Sequence, residues 1–425
     1  MKKNFRITFF IILITFTLGI IASCSGNKDN TSDIQSSEDN MTSEADKYPY
    51  LSGFENSYTQ AYIYQNKNKV YNLQQNKGIT FITVQDVHVS SLDDSRYDQL
   101  RDIVIITEQL DVDYVIVLGD LTSSLYDHDT AIDLIKKVKE IMDQCHCPVY
   151  YTRGDHEYNA TDENWGTNED DYNNIVTGMD WYNIFGIYDD PNVVIDSSNP
   201  YGCYFYVDIP ELKNRVIVLN SFEFKANPDG LPYINDDGTM GYWVRKVGSK
   251  EQVKWLTKKA LDMTGKTDWT VTFFSHMIPY KDTSSEVDTI FHGYATDNTP
   301  LRKIVQAFKN GSSWSGEYND DVGQISVDFS EQGKIAVAGW WSGHIHDDCF
   351  KRVDDLNMFV STNTCAHYRD SWAEDENPVH LPPERNDTDK AMSVNMFIVD
   401  YTEQAVNVVK FGSESAQGMT KYFEY

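Results

Sequence analysis

Ile335-Ala336-Val337-Ala338-Gly339-Trp340-Trp341 runs directly into Ser342-Gly343-His344-Ile345-His346, an apolar stretch of strand character that ends in a pair of histidines. On extended backbone, residues i and i+2 project to the same side, roughly 6 to 7 Å apart at the Cα. That spacing suits two imidazoles serving neighbouring metal ions, which sit about 3.5 to 4 Å apart in two-metal sites. Gly343 is read as the point where the backbone turns sharply from strand to loop. A His-x-His pair alone carries little weight, because short motifs recur by chance. The rest of the chain has to supply partners.

Working outward, four more apolar runs end in a carboxylate or a histidine. Ile79 to Val84 leads into Gln85-Asp86-Val87-His88, and Tyr114 to Leu118 into Gly119-Asp120. Pro148 to Thr152 leads into Arg153-Gly154-Asp155-His156-Glu157, and Trp269 to Phe274 into Ser275-His276. Between the first two runs, Arg96 to Leu110 carries a helical stripe at Leu100, Ile103, Val104, Ile106 and Leu110, and Thr130 to Asp143 reads as a second helix. Strand, helix, strand implies parallel pairing. From about residue 79 to 412 this alternation predicts a layered α/β architecture. Length alone allows two or three domains. Groups spread from Asp86 to His346 can meet only if the chain between them folds as one. Ligands of open α/β sheets bind outside the carboxyl ends of the strands, where all five clusters fall. Oxygen and imidazole donors without thiolate favour Mn, Fe or Zn.

The remaining chain is read more coarsely. Asn159 to Asp190, acidic and aromatic without periodicity, is expected to be a long insertion beside the site. Cys203 to Asp208 and Arg215 to Asn220 look like paired strands of a second sheet. Ser249-Lys250-Glu251-Gln252 has the form of a capping box opening a helix to Asp262. Thr299-Pro300 is expected to cap a helix running to about Lys309, followed by a loop over Gly311 to Gly316. Met358 to Ser361, Ser393 to Tyr401 and Ala405 to Phe411 read as closing strands of the second sheet, and residues 371–390 as a surface loop.

The ordered set Asp86-x-His88, Gly119-Asp120, Gly154-Asp155-His156-Glu157, His276 and Gly343-His344-x-His346 resembles the signature of the calcineurin-like metallophosphoesterases. Each piece is weak; the ordered series at strand ends is specific. The resemblance covers about residues 79 to 412 and implies a four-layer αββα sandwich, two mixed β-sheets flanked by helices. It implies that Asp86, His88 and His346 hold a first divalent ion, that Asp120 bridges two ions, and that Asp155, His276 and His344 hold the second. His156 is then the catalytic group that approaches the scissile ester without binding metal. The implied function is hydrolysis of a phosphomonoester or phosphodiester, with a bridging water or hydroxide as nucleophile.

One position departs from the family pattern, which has Asn where this chain has Asp155. An anion in place of an amide should raise metal affinity and weaken the Lewis acidity felt by the water. A second reading therefore stands beside the first: a surface binding lipoprotein that keeps the fold and has lost turnover. Glu157 is expected to orient His156 or to form a surface salt bridge. Arg153 is read as able to reach a substrate phosphate, or else as a surface ion pair. Trp340 and Trp341 are read as able to stack on a base or sugar at the mouth of the site, or else one of them as core.

At the other end, Lys2, Lys3 and Arg6 precede an apolar run from Ile7 to Ile21, the pattern of a secretory signal. Ile21-Ala22-Ser23-Cys24 resembles the lipobox of bacterial lipoproteins, which implies lipidation of Cys24 and an extracytoplasmic chain anchored to the bacterial membrane. The expected organisation is a signal peptide over 1–23, a polar tether over 24–50, an N-terminal extension over 51–78 and the phosphoesterase domain over 79–425. Net charge is −29, and residues 1–23 carry three basic and no acidic groups, so their removal makes it −32. A surface so negative disfavours nucleic acid and leaves a small or lipid-linked phosphate ester as the expected substrate. Setting Cys24 aside leaves Cys145, Cys147, Cys203, Cys349 and Cys365, an odd number that excludes a complete disulfide framework.

Overall fold

The computed structural model describes residues 57–425 apart from 77, 125, 160–172, 187–189, 225–242, 245–246, 282–296, 366–391 and 413–420. The chain divides into Met1–Gly53 and Phe54–Tyr425, and every described element belongs to the second unit. The expected signal peptide, Cys24, the expected tether and the expected loop over 371–390 lie outside the described residues. Among those described, no helix is long and apolar enough to cross a membrane.

In chain order the elements are α1 (Ser57–Leu73), β1 (Gly78–Val84), α2 (Arg96–Gln109), β2 (Tyr114–Val117), α3 (His128–Met142), β3 (Val149–Tyr151), α4 (Gly178–Phe185), β4 (Val193–Ile195), β5 (Phe205–Ile209), β6 (Asn214–Leu219), β7 (Glu223–Phe224) and β8 (Trp243–Val244). Then come α5 (Lys250–Trp255), extended by a π turn over Leu256–Ala260, β9 (Thr270–Ser275), α6 (Thr299–Asn310), β10 (Ser313–Glu317), β11 (Gln324–Asp328), β12 (Ala336–Ser342), β13 (Cys349–Val353), β14 (Leu356–Val360), β15 (Ser393–Asp400), β16 (Ala405–Gly412) and β17 (Lys421–Glu424).

Two large mixed sheets result, in the orders β17-β16-β15-β1-β2-β3 and β13-β14-β12-β9-β6-β5-β4. The strands that end in site residues are parallel in each: β1, β2 and β3 in the first, and β6, β9 and β12 in the second. Three apolar layers hold the sandwich together. Ile82, Val84, Val115 and Val117 face Leu100, Ile103, Leu134 and Val138 of α2 and α3. Phe81, Tyr114, Ile116, Val216, Val218, Phe274 and Trp341 fill the space between the sheets. Ile217, Val271, Phe273 and Trp340 pack under Leu256, Leu301, Ile304 and Phe308 of the helices on the far side. Alternation along each strand produces this split, since consecutive side chains take opposite faces. It also explains Trp340 and Trp341, which are both core. Trp341 stacks on Phe359 at 4.9 Å between the sheets. Trp340 faces outward, where its Nε1 donates to Ser275 Oγ at 2.7 Å. This is the α/β/β/α fold that the resemblance implies.

Several local expectations are corrected. Ser393–Asp400 and Ala405–Gly412 join the first sheet, not the second: β15 runs antiparallel to β1, with Phe397 opposite Phe81. Alternation marks a strand without saying which edge receives it. Gly311 to Gly316 is not all loop, because Ser313–Glu317 pairs with Gln324–Asp328 as an exposed hairpin. Asn298, not Thr299, caps α6, its side chain accepting from Leu301 N at 3.2 Å. Ser249 caps α5 as expected, accepting from Gln252 N at 3.0 Å. The return half of the box is missing, because the Gln252 side chain turns to Asn220 and Glu223. The stretch from Asn159 to Asp190 contains α4, opened by a capping box between Thr177 and Asp180. Residues 51–78 contribute α1, whose Ile63 and Val70 join the outer core of the first sheet.

Candidate metal centre

The carboxyl ends of β1, β2, β3, β9 and β12 meet at one rim, laced together by backbone hydrogen bonds. Asp86 N donates to Gly119 O and His88 N to Asp120 O, both at 3.0 Å, while Gly343 N donates to His276 O at 3.0 Å. Five of the gathered residues have left-handed backbone: Asp86 (φ 53°), His88 (φ 53°), Asp120 (φ 55°), His344 (φ 72°) and His346 (φ 61°). Strained positions of this kind persist only where their surroundings fix them, and they cluster at functional sites. The extended backbone expected for His344 and His346 is thereby corrected; the two sit on a bend. Gly343 has a different reason too. A Cβ there would come within 2.7 Å of Asp86 Oδ2, so the residue is small to allow close approach. Gly119 and Gly154 pack equally tightly, a Cβ on Gly119 falling 2.4 Å from Gly154 N.

Two groups of donors result, and they share one residue. Asp86, His88, Asp120 and His346 form the first; Asp120, Asp155, His276 and His344 form the second, with the donor atoms of each within 4.8 Å of one another. In the first, Nε2 of His88 and Nε2 of His346 face each other at 3.1 Å. In the second, His276 Nε2 lies 3.1 Å from Asp120 Oδ2 and 3.0 Å from Asp155 Oδ1. His344 Nδ1 lies 3.1 Å from that same Asp155 oxygen. His276 Nδ1 is 2.7 Å from Leu118 O, which can only accept, so Nδ1 carries a proton and Nε2 is the nitrogen turned to the site. These sets, oxygen and imidazole without thiolate, have the chemistry to hold divalent ions. Every one of the seven residues expected as ligands is in them.

Electrostatics fit the same picture. Burial pushes the Asp86 carboxyl up to about 8, with His276 opposing and Asp120 adding to the rise. Burial would raise Asp155 as well, but His344 and His276 beside it hold it well below the usual carboxylate range. For His276 burial disfavours charge, and the carboxylates of Asp120 and Asp155 outweigh it, raising the imidazole well above its ordinary value. So many carboxylates packed out of water call for compensating positive charge.

His156 stands at the mouth, its side chain 30% exposed and its Nε2 3.9 Å from Asp120 Oδ2. It is in neither donor group. Its backbone N–H donates to Asp120 Oδ1 at 3.1 Å, and Ser124 Oγ lies 2.9 Å from its Nδ1. Ser124 was not singled out in the sequence; a serine in a loop beyond Gly119-Asp120 carries no signal. Phe222, also missed, packs its ring 5.6 Å from His276 and 5.5 Å from His344. It follows the end of β6, so the strand-end rule points at it even though no charged residue stands there.

Glu157 and Arg153 are corrected. Glu157 is fully buried, and neither orients His156 nor forms a surface pair. Its carboxylate accepts from Asp120 N at 2.9 Å, from Gly154 N at 2.7 Å and from Leu121 N. It clasps the two Gly-Asp turns from beneath. Arg153 is 1% exposed. Its Nη2 donates to Val176 O and Glu157 O, and its guanidinium lies 3.7 Å over the Tyr158 ring. Turned into the protein in this way, it does not present itself to a substrate.

The family model for calcineurin-like phosphoesterases matches residues 79–348. The chain belongs to that family. This calcineurin-like phosphoesterase is similar in fold to a dimetal phosphatase from Danio rerio at 12% identity and TM-score 0.50, covering 82% of this chain and 100% of that one. A purple acid phosphatase from yellow lupin aligns at 12% identity and TM-score 0.41, over 82% of this chain and 54% of that one. No curated protein matches the phosphoesterase chain.

Proposed function

We propose that the chain hydrolyses phosphoric esters with two divalent ions, one held by Asp86, His88, Asp120 and His346 and the other by Asp120, Asp155, His276 and His344. The observation that carries this reading is the sharing of Asp120 by two donor groups beside the rim histidine His156. When bound, such ions neutralise charge on phosphoryl oxygens and lower the pKa of water towards neutrality. The chain's own groups supply the rest. Glu157 fixes the turn that carries Asp120, and the Leu118 carbonyl sets the tautomer of His276. Burial works against charge on His156, but Asp120, Asp155 and Glu157 raise it. A proton so retained at the mouth is suited to stabilising the phosphoryl group and protonating a departing alkoxide.

The substrate is proposed to be a small or lipid-linked phosphomonoester or diester, because a chain of net charge −29 repels nucleic acid. Mn, Fe or Zn suits the donor set. A lipid on Cys24 is proposed to hold the enzyme outside the cytoplasm at the bacterial membrane. The alternative, a binding protein without turnover, turns on Asp155. Its carboxylate lies 3.0 Å from His276 and 3.1 Å from His344 within the donor group, which supports a ligand role. The test is a panel of mono- and diesters assayed after chelation and after return of Mn, Fe or Zn. Chelation should abolish hydrolysis and one of the metals restore it; a metal-loaded chain that cleaves none of the esters is the binding protein instead.

A further inference from the structure

Acidic residues are unevenly spread in this chain. They number 65 among 425, yet between Glu55 and Asp86 there is none, while Lys67, Lys69 and Lys77 fall in that interval. Helix α1 fills the first part of it and carries Lys67 and Lys69. Ile63, Asn66 and Val70 are its buried side, and it packs on β16 of the first sheet. The opposite side presents Tyr64 at 85% exposure and Tyr71 at 63%, with exposed Lys67 between them. Spacings of three, four and seven place the three on one helical face.

We infer that this face of α1 docks on a lipid surface bearing anionic headgroups. The inference is independent of the phosphoesterase reading. Tyrosines with apolar rings and polar tips, and a lysine on an aliphatic stem, are the side chains that settle at the headgroup level of a bilayer. Anionic headgroups attract Lys67 and repel the acidic remainder of the surface, so the charge complementarity belongs to this face. Position agrees with charge. Helix α1 is the first described element after the proposed tether, and a tether raises the local concentration of the surface to roughly millimolar, where a modest contact is occupied. The same contact fixes which side of the domain faces the membrane.

The experiment is hydroxyl-radical footprinting of the full chain, read by mass spectrometry, in millimolar excess of phosphatidylglycerol or phosphatidylcholine vesicles. At that lipid concentration the contact registers with or without a lipid on Cys24. Oxidation of Tyr64 and Tyr71 should slow at least about threefold on phosphatidylglycerol and stay unchanged on phosphatidylcholine. Leu92, 58% exposed and outside α1, serves as the internal reference and should not change. Lys67→Glu, at an exposed position, should remove the protection while leaving the melting temperature unchanged. Equal oxidation of the two tyrosines on both vesicles, or equal protection of Leu92, overturns the proposal.

Discussion

Ser124 Oγ lies 2.9 Å from Nδ1 of His156 and 3.1 Å from the carbonyl oxygen of the same residue. One hydroxyl thus fixes both the ring and the backbone of the group proposed to protonate the leaving alkoxide. Ser124→Ala should lower kcat about tenfold with KM little changed, the scale expected when a supporting hydrogen bond is removed. Alkyl esters should suffer more than nitrophenyl esters, which need no proton on departure. Steady-state kinetics across leaving groups checks this, and an equal loss for both classes would assign Ser124 to general stability.

Glu157 accepts from three backbone N–H groups of two separate turns, those of Asp120, Leu121 and Gly154. Glu157→Ala leaves all three buried without an acceptor, at a cost of about 1–3 kcal/mol each. Urea unfolding should show a loss of more than about 3 kcal/mol, accompanied by lower metal content. A variant as stable as the parent would mean that the turns hold themselves.

Asp155 places one oxygen between His276 and His344. Asp155→Asn keeps the shape and removes the charge, so affinity for the second ion should fall by about tenfold or more, and turnover of the fully loaded chain should change. Competition with a metal-binding dye measures the first and saturating-metal kinetics the second. If neither moves, Asp155 is not a ligand.

Glu223 offers a pH test away from the centre. It is buried and accepts from Ser249 N at 3.3 Å and from Gln252, and burial raises its carboxyl from 4.5 to about 7. A folded value above the unfolded one means that the native chain holds the proton more tightly. Its contribution to stability is then fully present below the unfolded value, declines between about 4.5 and 7, and is lost above that. Glu223→Gln, which keeps an acceptor and carries no charge, should stabilise the chain at pH 8 by something on the order of 2 kcal/mol and leave it unchanged at pH 4. Equal effects at the two pH values would contradict the assignment.

The fold was legible where one residue's neighbours along the chain decide its state. Apolar runs ending in Asp or His marked β1, β2, β3, β9 and β12, and the rule that ligands gather at strand ends collected seven donors that the structure brings together. What stayed hidden depends on partners distant in sequence. Nothing near Ser393 says that β15 will pair with β1 rather than with the second sheet. Charge pointed Arg153 and Glu157 towards the surface, but both are buried because backbone carbonyls and amides of neighbouring turns satisfy them. The left-handed backbone at His344 likewise depends on a distant partner: its N–H is held at 3.0 Å by both oxygens of Asp86.

The most direct measurement is anomalous scattering from crystals of the metal-loaded chain. Two ions flanking the carboxylate of Asp120 are expected, one beside His88 and His346 and the other beside His276 and His344, and both should vanish in Asp120→Ala. A single ion, or a pair that leaves Asp120 untouched, would contradict the dinuclear centre.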